Sequence, residues 1–179
     1  MNHSTQLSLL LLISLTFISH AISGSPTPST KLYEVVCNDA EKDHDRCLKL
    51  IQDTPEITSA KDYPTLCKAI FRLAVKKSTS AQNEVQKLVG KYPSSKAIKE
   101  CATFDYAHLV QSFGLLIKEV DEDAKSANYD AFVNTDHIDE CETKLSNEHT
   151  VDPTINTINN DMRFLCHVSY LATNHLDLN

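Results

Sequence analysis

Six cysteines constrain this chain more than any other feature. They stand at Cys37, Cys47, Cys67, Cys101, Cys141 and Cys166, behind an apolar leader. An even cysteine count in that context points to disulfides formed in an oxidising compartment. No Cys-x-x-Cys pair occurs, so zinc ribbons, zinc fingers and thioredoxin-type redox motifs lack their usual signature. The close spacing of Cys37 and Cys47, and the wide spacing of Cys101 and Cys141, look like staples on a helical scaffold.

Residues 1–23 read as a secretory signal. Leu9 to Ile18 is apolar except for Ser14 and Thr16, and Ser19, Ala21 and Ser23 supply the small residues of a cleavage site. The n-region is atypical, with His3 but no Lys or Arg. Cleavage is expected between Ala21 and Gly24. The apolar run is too short for a membrane span, and no second stretch is long enough. The expected product is therefore exported and soluble, about 156 residues long, which suits one domain. Residues 24–30, Gly-Ser-Pro-Thr-Pro-Ser-Thr, read as a disordered N-terminus, and 31–179 as the folded unit. The formal net charge of −7 argues against nucleic acid as a partner. The single Asn-x-Ser/Thr sequon, at Asn2, lies inside the leader, so no N-glycan is expected.

Glycine is scarce: Gly24, Gly90 and Gly114 are the only three. A hairpin-rich sheet needs more positive-φ positions than that, and a phosphate-cradling Gly loop is excluded. Four long segments instead carry the helical period. The first runs Leu66, Ile70, Leu73, Ala74, Ala81, Val85, Leu88, interrupted by Lys77, with Gly90 as its expected stop. The second opens after Pro93-Ser94-Ser95 and carries Ile98, Ala102, Tyr106, Leu109, Phe113, Leu116 and Val120. The third runs Ala124, Ala127, Ala131, Asn134, Ile138, Cys141, Leu145, with Asn134 its one polar member. The fourth starts at Asp152-Pro153, an N-cap followed by proline at the first helical position. Short links between long amphipathic helices predict an all-α, up-down-up-down four-helix bundle. Residues 30–52 add two shorter helical pieces around Cys37 and Cys47, a hairpin too small to bury much surface alone.

The pattern resembles the plant invertase and pectin methylesterase inhibitor family. The resemblance rests on Cys47-Leu48-Lys49-Leu50-Ile51-Gln52-Asp53-Thr54-Pro55, on Ala97-Ile98-Lys99-Glu100-Cys101, on Ser126-Ala127-Asn128 leading to Glu140-Cys141-Glu142, and on Leu165-Cys166. It implies a secreted bundle with an N-terminal helical hairpin closed by Cys37–Cys47 and a second disulfide, Cys101–Cys141, inside the bundle. In the chain-entropy account these loops are worth about 3 and about 4 kcal/mol. Cys67 lies where the family usually has no cysteine. It and Cys166 are candidates for a third bridge, and two buried free thiols are the alternative. Tyr63-Pro64-Thr65-Leu66-Cys67 imitates the family's hairpin-closing stretch but lies too near Cys101 to be it.

The chain also departs from that pattern. The family tyrosine four residues after the bundle cysteine is Asp105 here, with Tyr106 one place late. A one-residue slip in a helix turns a face by roughly 100°. The family's Thr-Cys-Glu-Asp reads Glu140-Cys141-Glu142-Thr143, and its invertase-associated Pro-Lys-Phe is replaced by Asp121-Glu122-Asp123-Ala124-Lys125. The last difference favours pectin methylesterase over acid invertase as the implied target, blocked by one-to-one occlusion of its active-site cleft. The implied location is the apoplast and cell wall, with the vacuole as the alternative.

The remaining motifs have bland explanations. Asp39, Glu41, Asp43 and Asp45 imitate a calcium loop but lack its central glycine and closing glutamate. A solvated acidic turn explains them. The eight histidines form no His-Glu-x-x-His motif and no close i, i+4 pair. His137, Glu140 and Cys141 can share a helical face, with Cys141 better used as a disulfide partner. Scattered histidines would still make binding sensitive to pH between 5 and 7. No Gly-x-Ser-x-Gly occurs, and Asp121-Glu122-Asp123 reads as an exposed turn. The expectation is a non-enzymatic protein with no cofactor and no metal. A secreted apolar-ligand carrier or signal protein is the rival reading.

Overall fold

The computed structural model describes residues 31–179. The signal at 1–23 and the 24–30 stretch lie outside the described residues. The chain opens with α1 (Leu32–Asp39), a 3-10 turn (Glu41–Asp43), α2 (His44–Ile51) and a single-turn α3 (Pro55–Thr58). Four rods follow: α4 (Tyr63–Lys91), α5 (Lys96–Glu100) continuing into α6 (Tyr106–Glu122), α7 (Ala124–Val133) continuing into α8 (Thr135–Asn147), and α9 (Pro153–Thr173). The rods form the expected up-down-up-down bundle. α4 packs against α6 and α9, and α7 packs against the same two from the other side.

Local chemistry sets each start. Asp62 caps α4 by accepting the Thr65 N–H at 2.7 Å, with Pro64 in the first turn. Ser95 caps α5 through the Ile98 N–H at 3.1 Å. Glu148 reaches the same end from α8, accepting from Ala97 N at 2.6 Å, Lys96 N at 3.2 Å and Ser95 Oγ at 3.1 Å. Negative charge at a helix N-terminus is favourable, so this contact joins two rods and caps one of them. Asp123 caps α7 through Lys125 and Ser126, each at 3.1 Å. α8 ends in a Schellman arrangement, with Thr150 N–H to the Leu145 carbonyl and His149 N–H to that of Ser146. His149 therefore takes φ 52°, a position that favours glycine.

Two details differ from the sequence expectations. Gly90 does not stop α4, which runs on to Lys91. The third rod is not continuous: it breaks at Asn134, which is buried with its Nδ2 unpartnered. The polar member of that stripe thus sits at the kink.

The second rod resolves the tyrosine displacement. Cys101–Asp105 form a π turn between α5 and α6. A π turn takes up one extra residue inside an α-helix without turning the rest of the helix. The predicted rotation of roughly 100° therefore does not occur. Tyr106 is fully buried, and its hydroxyl donates to Asn159 Oδ1 on α9 at 2.7 Å. Its neighbours down the rod, Leu109, Phe113 and Leu116, are likewise buried.

Candidate partner-binding surface

The N-terminal hairpin is fixed to the bundle on both sides of its turn. Cys37 and Cys47 are joined, with Cα atoms 5.3 Å apart. His175 Nε2 lies 2.7 Å from Asp39 Oδ2, and its ring stacks on Tyr63 at 4.6 Å. Arg46 donates to Asp161 at 2.9 Å and lies over the Phe164 ring at 4.0 Å. The acidic turn is thereby accounted for: Asp39 engages His175, Asp45 engages His44 at 3.0 Å, and both contacts are exposed. Between hairpin and bundle lies a groove of about 560 Å³ with an apolar floor of Leu50, Ile158 and Met162 and cations Arg46, Lys49 and Lys77 on its walls.

The bundle carries the second disulfide, Cys101–Cys141, with Cα atoms 5.0 Å apart. It ties the π turn to α8. Cys67 and Cys166 form no bridge and are buried thiols. Burial pushes both thiols up to about 12, which leaves them protonated and unreactive at neutral pH. Cys101, Asp105 and Cys141 place their ligand atoms within 4.8 Å of one another. Both sulfurs are spent in the disulfide, so this trio holds no metal.

Ser126-Ala127-Asn128, part of the family resemblance, has a structural explanation in each residue. Ser126 Oγ donates to the capping Asp123 at 2.8 Å. Ala127 is buried. Asn128 Nδ2 donates to Thr173 Oγ1 at 3.0 Å and Asn174 Oδ1 at 2.9 Å, tying α7 to the end of α9. Of the Glu140-Cys141-Glu142 stretch, Glu142 receives Arg163 at 2.8 Å from α9, beside Asp139 at 2.5 Å.

What remains free is apolar and aromatic. Tyr129 is 64% exposed and Phe132 57%, three residues apart on α7 and so on one side of it. Phe132 leans on Tyr170 of α9, ring centroids 5.3 Å apart. Leu115 on α6 and Phe104 in the π turn are also about half exposed. Exposed aromatics held on rigid helices are the side chains that anchor protein interfaces. Sequence reasoning missed them because Tyr129 and Phe132 interrupt a polar face without entering the apolar stripe. The Asp121-Glu122-Asp123 turn is exposed, as expected: Asp121 holds Lys68 at 2.8 Å and Asp123 serves as a cap. No nucleophile with an adjacent base is formed at these positions.

The bundle is similar to two solved structures. One is a mutant form of a pectin methylesterase inhibitor from Arabidopsis, with a TM-score of 0.68 and 16% identity, covering 84% of this chain and 100% of that one. The other is a pectin methylesterase inhibitor from Arabidopsis thaliana, with a TM-score of 0.57 and 18% identity, covering 82% of this chain and 97% of that one. No protein-family model matches the sequence, and no curated protein matches it. The chain thus shares the helical-bundle fold of those two proteins. More particularly, it is the fold of pectin methylesterase inhibitors, shared here at low sequence identity.

Proposed function

We propose that this protein is a secreted inhibitor of a plant pectin methylesterase, binding its target one-to-one and covering the active-site cleft from the cell-wall side. The observation that carries this reading is the alignment of the bundle along the whole of one solved pectin methylesterase inhibitor. The surface supports it. Tyr129 and Phe132 offer large, stiff, half-exposed anchors on a helix held at its start by Asp123 and in its middle by the Asn128 contacts to α9. Such a face loses little conformational freedom on docking, which is what a tight inhibitor needs. The acidic chain suits a basic esterase through long-range attraction.

The test is an inhibition assay on purified plant pectin methylesterase and acid invertase side by side, at pH 5 and pH 7. Inhibition of the esterase at one equivalent, with native mass spectrometry of a one-to-one complex, is the expected result. Inhibition of invertase alone would move the target. Inhibition of neither, with saturable binding of an apolar dye in the groove beside Met162, would replace the inhibitor by a carrier. In the double variant Tyr129→Ala/Phe132→Ala, inhibition is expected to fall at least about a hundredfold, since two interface anchors cost on the order of 2 kcal/mol each. The unfolding midpoint should fall only slightly, because both side chains are more than half exposed and Phe132 gives up its ring contact with Tyr170.

A further inference from the structure

The groove between the hairpin and the bundle has no part in the inhibitor reading. α2, α4 and α9 each turn one face toward it, with lining residues three and four apart. Its volume of about 560 Å³ is that of a small-molecule site. Leu50, Ala81, Ile158 and Met162 form an apolar floor at the edge of the core. Lys77 is the telling residue, because it interrupts the apolar stripe of α4. Around it Ala74, Ser78 and Ala81 are buried and small, so no bulky α4 side chain fills the space. Lys77 itself is half-buried and lines the groove, with no carboxylate partner among the described residues. A partly buried ammonium without an anion is costly.

The other charges on the lining are already committed. Asp161 accepts from Arg46 at 2.9 Å, and Glu84 accepts from Lys87 at 2.6 Å. Arg46 is held by Asp161, by the Asn160 carbonyl at 3.3 Å and by the Phe164 ring. Lys77 on α4 and the exposed Lys49 on α2 remain, two uncommitted cations above an apolar floor. We propose that this groove binds one free amphiphilic carboxylate of the fatty-acid class. Its carboxylate is drawn by Lys77 and Lys49, and its hydrocarbon tail covers Leu50, Ile158 and Met162. A sugar acid or an inorganic anion would satisfy the lysines and leave the floor in water. An uncharged lipid would cover the floor and leave Lys77 unpaired. A ligand with both parts meets both demands.

The proposal is independent of the inhibited enzyme: Tyr129 and Phe132 stand on α7, which does not line the groove. The test titrates the full chain, carbon-13 labelled at its methionine methyls, with sodium decanoate at pH 7, below the micelle concentration. One equivalent should bind saturably and shift the Met162 methyl resonance. Hexanoate should bind at least about tenfold more weakly, since fewer methylenes leave water. Lys77→Met keeps an apolar stem and removes the charge. It should weaken decanoate at least about fivefold and leave the binding of decanol unchanged. Lys118→Met, exposed on α6 and outside the groove, should alter neither. Undiminished decanoate affinity in Lys77→Met, saturation without a shift at Met162, or no saturable binding would each overturn the site. Co-sedimentation with phosphatidylglycerol vesicles in place of binding to the free carboxylate would also overturn it, by making the cationic rim a membrane contact.

Discussion

Asp105 and Asp152 are both fully buried, and each is held by a lysine on a neighbouring rod. They nonetheless differ in kind. Asp152 caps α9 through Thr154 and Ile155 at 2.8 and 3.4 Å, and its other oxygen receives Lys91 and the Tyr92 hydroxyl, each at 2.8 Å. Those hydrogen bonds, Lys91 and Tyr92 first, hold its carboxyl well below the usual range. Asp105 has Lys144 alone on Oδ1 and nothing on Oδ2. Burial then outweighs the lysine and pushes its carboxyl up. Depth does not decide whether a buried carboxylate supports a fold; the number of donors aimed at it does.

The largest expected effect follows from the satisfied partner. Asp152→Ala removes a cap and strands Tyr92 and Lys91, so chemical denaturation at pH 7 should show a loss of about 3 kcal/mol. A loss under 1 kcal/mol would break the comparison at its strong end.

Deleting Asp105 removes the orphaned oxygen and the π turn together, leaving the tyrosine four residues after Cys101. Because the π turn exists to hold one extra residue, the shortened chain should keep its helix content, with stability within about 1 kcal/mol of the parent or above it. An unfolded product would show that the π turn is needed for the fold.

The milder change Asp105→Asn should raise stability at pH 7 by about 1 kcal/mol, since a poorly compensated buried charge is lost. The sign depends on pH. A folded carboxyl raised above its unfolded value of 3.8 favours the folded state fully below that value, and the advantage is lost as pH rises through the folded pKa. The gain from asparagine should therefore shrink as pH falls toward 4. Glu119, pushed up by burial and then by Asp130, titrates in the same direction. Asp152 runs opposite: its contribution is present above the unfolded value of 3.8 and lost only in strong acid, as pH falls through the depressed folded pKa. A pH-independent asparagine effect would remove the account of Asp105.

The smallest effect is an expected silence. Native protein at pH 8 should react with no thiol reagent, and unfolded, unreduced protein should react at two cysteines, Cys67 and Cys166. No reactive thiol after unfolding would restore the third bridge.

Much of the fold was legible because its signals are local. The capping Asp152 before Pro153, apolar residues at three- and four-residue steps and the near absence of glycine are short-range properties of a helix. The free thiols, the orphaned Oδ2 and the exposed Tyr129 and Phe132 were not legible. Each depends on what stands opposite in space. Cys67 and Cys166 could have been read either way, since pairing needs Cα atoms within about 7 Å.

The π turn marks the boundary most clearly. The sequence showed a tyrosine one place late against the family pattern, yet in step with Ile98 and Ala102 on the apolar stripe. By itself the sequence determined four amphipathic stripes, the starts of the second and fourth rods and the cysteines available to staple them, because periodicity and capping act within a few residues. Only the tertiary structure decided that the spare residue at 101–105 would be taken up locally, leaving Tyr106 buried on Asn159 and Asp105 half-satisfied. Burying a tyrosine and the stripe beyond it outweighs one widened helical turn, and that balance exists only when the other rods are in place.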